Sequence, residues 1–480
     1  MPANPNGIET GVTWETVIGL EVHVELDTET KLFSGAPNRF GDEPNTNITE
    51  VCLGLPGSLP VLNRKAVEES IRLGLALNCD IRPSTFHRKN YFYPDQAKDY
   101  QISQYDEPIC ADGHLDLPSG VRIRIERAHM EEDAGKTTHV GGENGRIHGA
   151  DSGLVDYNRA GVPLLEIVSH PDLRTAEQAR EYAEELRAIL VATGVSDARL
   201  EEGSMRIDAN VSVRPIGNDE LRPRCEVKNL NSFRSLVRAI QYEAQRHIEL
   251  YESGQRPNQE TRHFSEDGRT HTLRSKEEAN DYRYFPEPDL VRLDPDQEWI
   301  EEIRSSMPIL PRQMRSQLAE LGIGDEPAAT LVGRGLAGLV LGAVAAGADA
   351  SKAVNHAVNN LPADDSGSVP NVDAASFAKV VGMETAGDLT STQAKQVLAD
   401  MVELGGDPAD LAAARGFEAM ASDELEGIVA QAIADNPDAW AKFCEGEEKV
   451  QGVFVGAVMK ATKGQADGKA VSAILRALRG

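Results

Sequence analysis

The segment from Val17 to Leu26 reads VIGLEVHVEL, in which Ile18, Leu20, Val22, Val24 and Leu26 alternate with Gly19, Glu21, His23 and Glu25. Period-two alternation predicts a half-buried strand with Glu21, His23 and Glu25 on one face. Residues two apart on a strand stand about 6.6–7 Å apart along its axis, so the side chains of Glu21 and His23 can converge on one ion between them. A carboxylate beside an imidazole suits Mg, Mn or Zn. Alone, the same pattern also describes the solvent face of an edge strand.

The pattern returns in RIDANVSVR, Arg206 to Arg214, where Arg206, Asp208, Asn210, Ser212 and Arg214 share one face. A third acidic group, His129-Met-Glu-Glu-Asp133, follows an alternating strand over Val121–Glu126 and leads into Ala134-Gly-Lys-Thr137. The segments Arg88 to Asp95 (RKNYFYPD) and Glu226 to Ser232 (EVKNLNS) add basic and amide side chains among turn formers. Such groups hold phosphate oxygens and substrate carboxylates. Together, the acids would bind a divalent ion while Lys and Arg neutralise a transferring phosphoryl group, the division of labour phosphoryl transfer requires.

Three lookalikes fall away. Ala134-Gly-Lys-Thr137 ends like a P-loop, but Met130 stands where that motif needs its first glycine. Gly333-Arg-Gly-Leu-Ala-Gly338 spells a dinucleotide fingerprint inside a helical Ala/Gly/Leu pattern, without the βαβ unit the fingerprint requires. His-x-Glu at His23 and His129 lacks the Pro-Cys-x-x-Cys partner of a zinc deaminase.

The elements that must position these groups form an α+β region to about residue 294, then an Ala- and Leu-rich region with helical spacing. Thr175-Ala-Glu-Gln178 reads as a capping box opening a helix whose stripe, Ala179, Ala183, Leu186 and Leu190, ends at Gly194. Turn formers over Leu361–Pro370 predict an exposed loop, and Gly405-Gly-Asp-Pro408 a second break. The expected domains are 1–294, 295–410 and 411–480.

The 480 residues suffice for about three domains of roughly 150 residues. The N-terminal MPANPNGIETG lacks the basic and apolar regions of a signal peptide, and the most apolar stretch, Gly335–Ala348, is shorter than the ~18 residues of a membrane span. Five dispersed cysteines fit no disulfide framework, so a cytoplasmic location without membrane is expected. The net charge of −28 argues against a nucleic-acid partner, yet charges beyond ~8 Å are largely screened. Locally, Lys449, Lys460, Lys463, Lys469, Arg476 and Arg479 stand against the single acid Asp467. A solvated helical face is the plainer reading of such a charge pattern.

The polar segments also resemble, nearly word for word, the motifs of the B-subunit family of tRNA-dependent amidotransferases: IGLEVHVEL, RKNYFYPD, YQISQ, HMEEDAGK, VDYNRAGVPLLEIVS, RIDANVSVRP, VKNLNSF and DYRYFPEPDL. In the tail, GVFVGAVMKATKGQA (Gly452–Ala466) resembles the helical motif of YqeY-like proteins. The resemblance implies a catalytic cradle similar to the glutamine synthetase and guanido kinase fold, then an all-α domain and an all-α YqeY-like tail that holds tRNA. It further implies a complex in which an amidase, the A subunit, hydrolyses glutamine and a small C subunit ties the amidase to the B subunit. The B subunit would use ATP and Mg to phosphorylate the side-chain carboxylate of Glu-tRNA(Gln) or Asp-tRNA(Asn), for amination by channelled ammonia. Misacylated tRNA is then the nucleic-acid partner, and no DNA is expected.

Carried over by motif, the resemblance makes Glu21, His23 and Glu132 metal ligands, with Asp208 a further one. Lys89 would touch the activated carboxylate or phosphate. Arg159, Glu166, Arg206, Asn210, Lys228 and Asn229 would line the centre, and Lys460, Lys463, Lys469 and Arg476 would contact tRNA. Relatives often have Cys-x-x-Cys before LGLPG, whereas Thr49-Glu-Val-Cys52 keeps one cysteine, so no zinc knuckle is expected. Gln96 and Ala97 replace the usual Pro and Leu after YFYPD, and Gly141–Gly153 is an inserted stretch. Two other classes remain open on sequence: a non-catalytic tRNA-binding scaffold and a stand-alone carboxylate-amine ligase.

Overall fold

The computed structural model describes residues 12–141, 150–265, 267–275, 282–362, 369, 371–417, 422–462, 466 and 468–479. They fall into two compact units, Met1–Arg312 and Gln313–Gly480. The first contains strands β1 (Trp14–Glu25), β2 (Asp80–Ile81), β3 (Thr85–Asn90), β4 (Tyr100–Glu107), β5 (Cys110–Asp116), β6 (Arg122–Glu132) and β7 (Lys136–Val140). It continues with β8 (Ser152–Asp156), β9 (Pro163–Ser169), β10 (Met205–Pro215), β11 (Cys225–Leu230), β12 (Glu260–Phe264), β13 (Thr270–Ser275) and β14 (Phe285–Pro286). Its helices are α1 (Arg64–Ala76), α2 (Ala176–Thr193), α3 (Phe233–Glu252) and α4 (Gln297–Ser305).

Twelve strands make one sheet, ordered β13-β12-β11-β10-β1-β9-β6-β4-β3-β14, with β5 on β6 and β2 on β5; β7 and β8 pair separately. Only β11 and β12 run parallel among the described pairs. The alternation read in VIGLEVHVEL sets β1 at the centre of this sheet. Its Ile18, Leu20, Val22 and Val24 share a buried cluster with Ile207, Ala209 and Val211 of β10, Leu186 and Leu190 of α2, and Leu236 and Ile240 of α3. Burying each of the larger side chains stabilises by about 1.5–3 kcal/mol. With one face committed to the helices, the intervening polar residues are obliged to collect on the other.

Strand β6 keeps Ile123 and Ile125 in the core, then Ala128 and Met130, because its register against β9 shifts between Ile125 and Arg127. The slip of one residue reverses which side chains face the helices. Helix α2 begins where expected: the Thr175 hydroxyl accepts from Gln178 N at 3.1 Å, and Gly194 closes the helix in the left-handed region at φ 69°. Gln178 accepts from Arg174 N at 2.8 Å, one residue before the position a capping box would use.

The first unit reaches Arg312 rather than ending at the expected 294, because α4 buries Ile300 and Ile303 in the same core. Arg72 of α1 also donates to Ser306 O at 3.3 Å. Beyond Pro295 every regular element among the described residues is helical. The Gly333–Gly338 segment joins helices Asp325–Gly333 and Ala337–Ala345 across a 112° bend, and no single helix among the described residues is long and apolar enough to cross a membrane. Gly405 caps helix Ser391–Leu404, and Pro408 opens helix Pro408–Ala414. A separate cluster of Leu425, Val429, Phe443, Phe454, Val458, Val471 and Leu475 forms the core of the chain's last helices. Most of the expected Leu361–Pro370 loop, and residues 142–149 of the insertion, lie outside the described residues.

Candidate active site

Antiparallel register assembles the site. His23 stands opposite both Glu166 of β9 and Arg206 of β10, Glu21 opposite Asp208, and His129 opposite Glu166. Residues directly opposite share a face, so the polar sides of β1, β6, β9 and β10 meet on the side away from α2 and α3. They line a cavity of about 660 Å³ with Lys89, Glu131, Glu226 and Lys228.

His23 is the hub. Its Nε2 lies 3.3 Å from Glu166 Oε2, 3.6 Å from Glu131 Oε1 and 3.8 Å from Glu21 Oε1. Ligand atoms of Glu21, His23 and Asp208 lie within 4.8 Å of one another, as do those of His23, Glu131 and Glu166. The Lys228 ammonium contacts Asp208 Oδ2 at 2.6 Å and Glu226 Oε1 at 2.8 Å.

Electrostatics records the crowding. Burial, then the neighbouring Glu166, pushes Glu21 up to about 7. Burial alone would lower His23, but its hydrogen bond to Glu166 and the surrounding carboxylates raise it to about 9. Burial would likewise raise Glu166, yet the hydrogen bond to His23 and the charges of His23 and Arg127 hold it well below the usual carboxylate range. His129, fully buried with no hydrogen bond to either ring nitrogen, is pushed down to about 4 by burial and is neutral at pH 7. Three or four carboxylates crowd an imidazole that, with no ion beside it, holds a proton among them; a metal ion would displace that proton and supply the positive charge the site lacks. A hard divalent cation with oxygen and imidazole ligands fits that donor set.

Of the expected ligands, Glu21, His23 and Asp208 come together and Glu132 does not. Its buried carboxylate is bonded to the Lys98 ammonium and accepts from Ile102 N at 3.0 Å. On a strand, neighbours point oppositely, and the shifted register of β6 sends Glu131, not Glu132, to the cavity. The carboxylate that β6 brings beside His23 is therefore that of Glu131.

Lys89 lines the cavity with its ammonium 4.9 Å above the centre of the Tyr282 ring. Arg206 donates to Asp133 Oδ2 at 2.6 Å, and both line the cavity. Arg159 lies behind them, its Nε 3.0 Å from Ala134 O and 3.5 Å from Asp133 Oδ2. Asn229, in the left-handed region at φ 67°, lines the cavity and donates to Phe264 O at 3.2 Å. Asn210 sits two residues along β10 from Asp208, outside the cavity lining.

Sequence reasoning does not single out Glu131, Asp133 or Glu226, although all three lie within its polar motifs. Facing direction is the missing information. In the second unit Lys460 and Arg476 are exposed, on helices Gln451–Ala461 and Gly468–Arg479. Lys469 lies in the latter helix, and Lys463 falls outside the described residues.

Residues 16–301 match the family model described as the GatB/GatE catalytic domain, and residues 339–478 match that described as the GatB domain. The chain is 50% identical over 480 residues to the aspartyl/glutamyl-tRNA(Asn/Gln) amidotransferase B subunit of Mycobacterium sp. (strain KMS), covering 97% of this chain and 96% of the relative. Proteins of the same name match at 49% over 486 residues in Thermobifida fusca, covering 97% and 94%, and at 50% over 473 residues in Rhodococcus jostii, covering 95% and 94%. A catalytic-domain match over more than half the sequence, and near-complete coverage of relatives at half identity, establish that the chain belongs to the GatB/GatE family of amidotransferase B subunits.

Proposed function

We infer that this chain is the B subunit of a tRNA-dependent amidotransferase, and that its cavity activates the side-chain carboxylate of Glu-tRNA(Gln), Asp-tRNA(Asn) or both with ATP and Mg. The observation carrying this reading is the convergence of Glu21, His23, Asp208, Glu131 and Glu166 beside the ammonium of Lys228 on one sheet face. A cradle of glutamine synthetase and guanido kinase type is part of the same reading.

The chemistry explains the need for ATP. Ammonia attacking a free carboxylate would have to expel oxide, whereas an acyl phosphate releases phosphate. Glu21, His23, Asp208, Glu131 and Glu166 would hold the ion. When bound, it supplies the charge neutralisation that phosphoryl transfer between two anions needs. Lys89, Lys228 and Arg206 bring positive charge to the same cavity and suit phosphate oxygens and the substrate carboxylate. Asp133 orients Arg206 through the 2.6 Å bond, so the guanidinium is placed before substrate arrives. The Tyr282 ring, beneath Lys89, covers part of the cavity wall. Excluding water favours neutral ammonia over ammonium and protects the acyl phosphate.

In this reading a glutaminase, the A subunit, supplies the ammonia, and a small C subunit joins it to this chain. The basic tail carrying Lys460, Lys463, Lys469 and Arg476 holds the misacylated tRNA. The reaction is cytoplasmic. Phosphate release from ATP, measured on the three-subunit complex with ammonium and each misacylated tRNA, tests it. Release is expected only with tRNA and Mg together, and chelation should abolish it. Release indifferent to tRNA, or none with either tRNA, would overturn the assignment.

A further inference from the structure

In the segment that follows β1, Lys31 is 1% exposed. Its ammonium donates to Ala160 O at 2.6 Å and Tyr157 O at 3.3 Å, and lies 3.8 Å from Cys52 Sγ. Among the described residues no ion pair within 4 Å joins it to a carboxylate, and Glu132 and Asp156 act on it from farther away. A buried ammonium without an anion is costly. Cys52 is built to supply one: its sulfur lies 3.3 Å from Ser34 Oγ and 3.5 Å from Thr49 Oγ1, two hydroxyls able to donate to it. Burial would raise this thiol, but those hydroxyls and Lys31 hold it below its ordinary value. Burial instead pushes Cys79 and Cys225 up to about 12 and Cys110 well above the ordinary thiol range.

Access is the second requirement. Lys31, Ser34 and Thr49, which surround the sulfur, line an open cavity of about 810 Å³, and Cys52 itself is 6% exposed behind them. The pair lies apart from the polar cavity described above and plays no part in the proposed phosphoryl transfer.

We propose that Cys52 and Lys31 form a reversible oxidative modification site, in which peroxide converts the thiolate to a sulfenic acid and the Lys31 amine then condenses with it to a sulfenamide. In the first step the thiolate attacks hydrogen peroxide, forming an S–O bond, breaking the O–O bond and releasing hydroxide. The sulfenic acid is neutral, so Lys31 loses its counter-charge and surrenders a proton to that hydroxide, giving water. The free amine attacks sulfur, the N–S bond forms, the S–O bond breaks, and a second water leaves. One peroxide is consumed, two waters are produced, and the cross-linked chain is two hydrogens lighter. A thiol reductant attacks the sulfur and restores both side chains. Condensation removes the ammonium from the carbonyls of Tyr157 and Ala160, which anchor the turn carrying Arg159.

The test treats the full-length chain with hydrogen peroxide, then digests it for mass spectrometry with and without dithiothreitol. Joined peptides containing Lys31 and Cys52, two hydrogens below the sum of the separate peptides and lost on reduction, are expected. Cys52 should react at least about tenfold faster than Cys79 or Cys110, in line with its thiolate character. In Lys31→Arg the joined peptides should vanish and dimedone should trap Cys52 as the sulfenic acid. Oxidation of Cys52 no faster than that of Cys79, or dimedone capture in the unsubstituted chain without joined peptides, would overturn the proposal; neither result depends on the variant folding.

Discussion

Glu131 and Glu132 are adjacent in sequence and chemically identical, yet one lies among the would-be metal ligands and the other bonds Lys98. Their substitution therefore separates ion binding from other contributions. Glu131→Gln should weaken Mn or Mg binding, read by calorimetry or by Mn spectroscopy, by at least the roughly 10–100-fold that loss of an outer-shell partner costs. Glu132→Gln should leave the ion's affinity within a factor of about three of the parent, since its carboxylate is spent on Lys98 and Ile102 N. The reverse ranking would show that the ion is held elsewhere. The same pair marks how far the residues speak for themselves. Glu21, His23, Arg206 and Asp208 can be placed on one face from sequence because β1 and β10 alternate without interruption over those positions. In β6 the alternation of Arg122 to Glu126, continued unbroken, would send Glu132 to the polar face. The register shift at Arg127 reverses it, and such a shift is fixed by pairing with β9, which no local spacing records. Asp133 and Glu226 escape for the same reason: their motifs are visible, their facing is not.

Among the elements, α1 tests how closely the scaffold is packed and what it tolerates. Its Glu69 is 2% exposed, with one carboxylate oxygen lacking a hydrogen-bond partner and the other 3.6 Å from the Lys65 ammonium. Burial raises it to about 8 from 4.5. The folded state thus holds a proton that the unfolded chain releases between those values, so stability falls as pH rises from 4.5 to about 8. Glu69→Gln should leave the melting temperature unchanged below pH 4.5 and raise it above pH 8, with a gain in stability of up to about 5 kcal/mol. A gain of equal size at every pH would refute the assignment. Where α1 approaches β5, a Cβ added to Gly113 would meet Leu77 O at 2.6 Å, a backbone atom unable to turn aside. Gly113→Ala should cost about 1–3 kcal/mol by overpacking, measurable by urea denaturation, and a neutral result would mean that the contact relaxes freely. The apolar stripe of α2 and its caps are legible in the sequence because they depend on local chemistry. The fit of Gly113 against the end of α1 is not, since it joins segments distant in sequence.

Over the whole molecule, charge poses the sharpest question, because a chain of net charge −28 is proposed to hold a polyanion. Screening resolves it in principle: at physiological salt exposed charges beyond ~8 Å contribute little, so a local cluster decides. Lys460 and Arg476 are exposed on the helices that close the chain. Arg479 is otherwise engaged, donating to Glu448 at 2.6 Å, its guanidinium carbon 5.1 Å from the centre of the Phe443 ring. Each phosphate contact releases condensed counterions and adds about 0.7–0.9 to the steepness with which log affinity falls against log salt. If Lys460 and Arg476 each meet a phosphate, Lys460→Gln with Arg476→Gln should reduce that slope by about 1.4–1.8 and weaken tRNA binding at low salt. Affinity for the divalent ion should stay unchanged, because the proposed ligands all belong to the first compact unit. A filter-binding titration over a range of salt concentrations reads both the slope and the affinity. Uniform weakening with an unaltered slope would mean that the substitutions disturb the terminal helices, whose core is Phe443, Phe454, Val458, Val471 and Leu475, and not their contacts with phosphate. An unchanged slope and affinity would place the tRNA contacts on another surface, and the excess of acid over base in the rest of the chain would then need its own account.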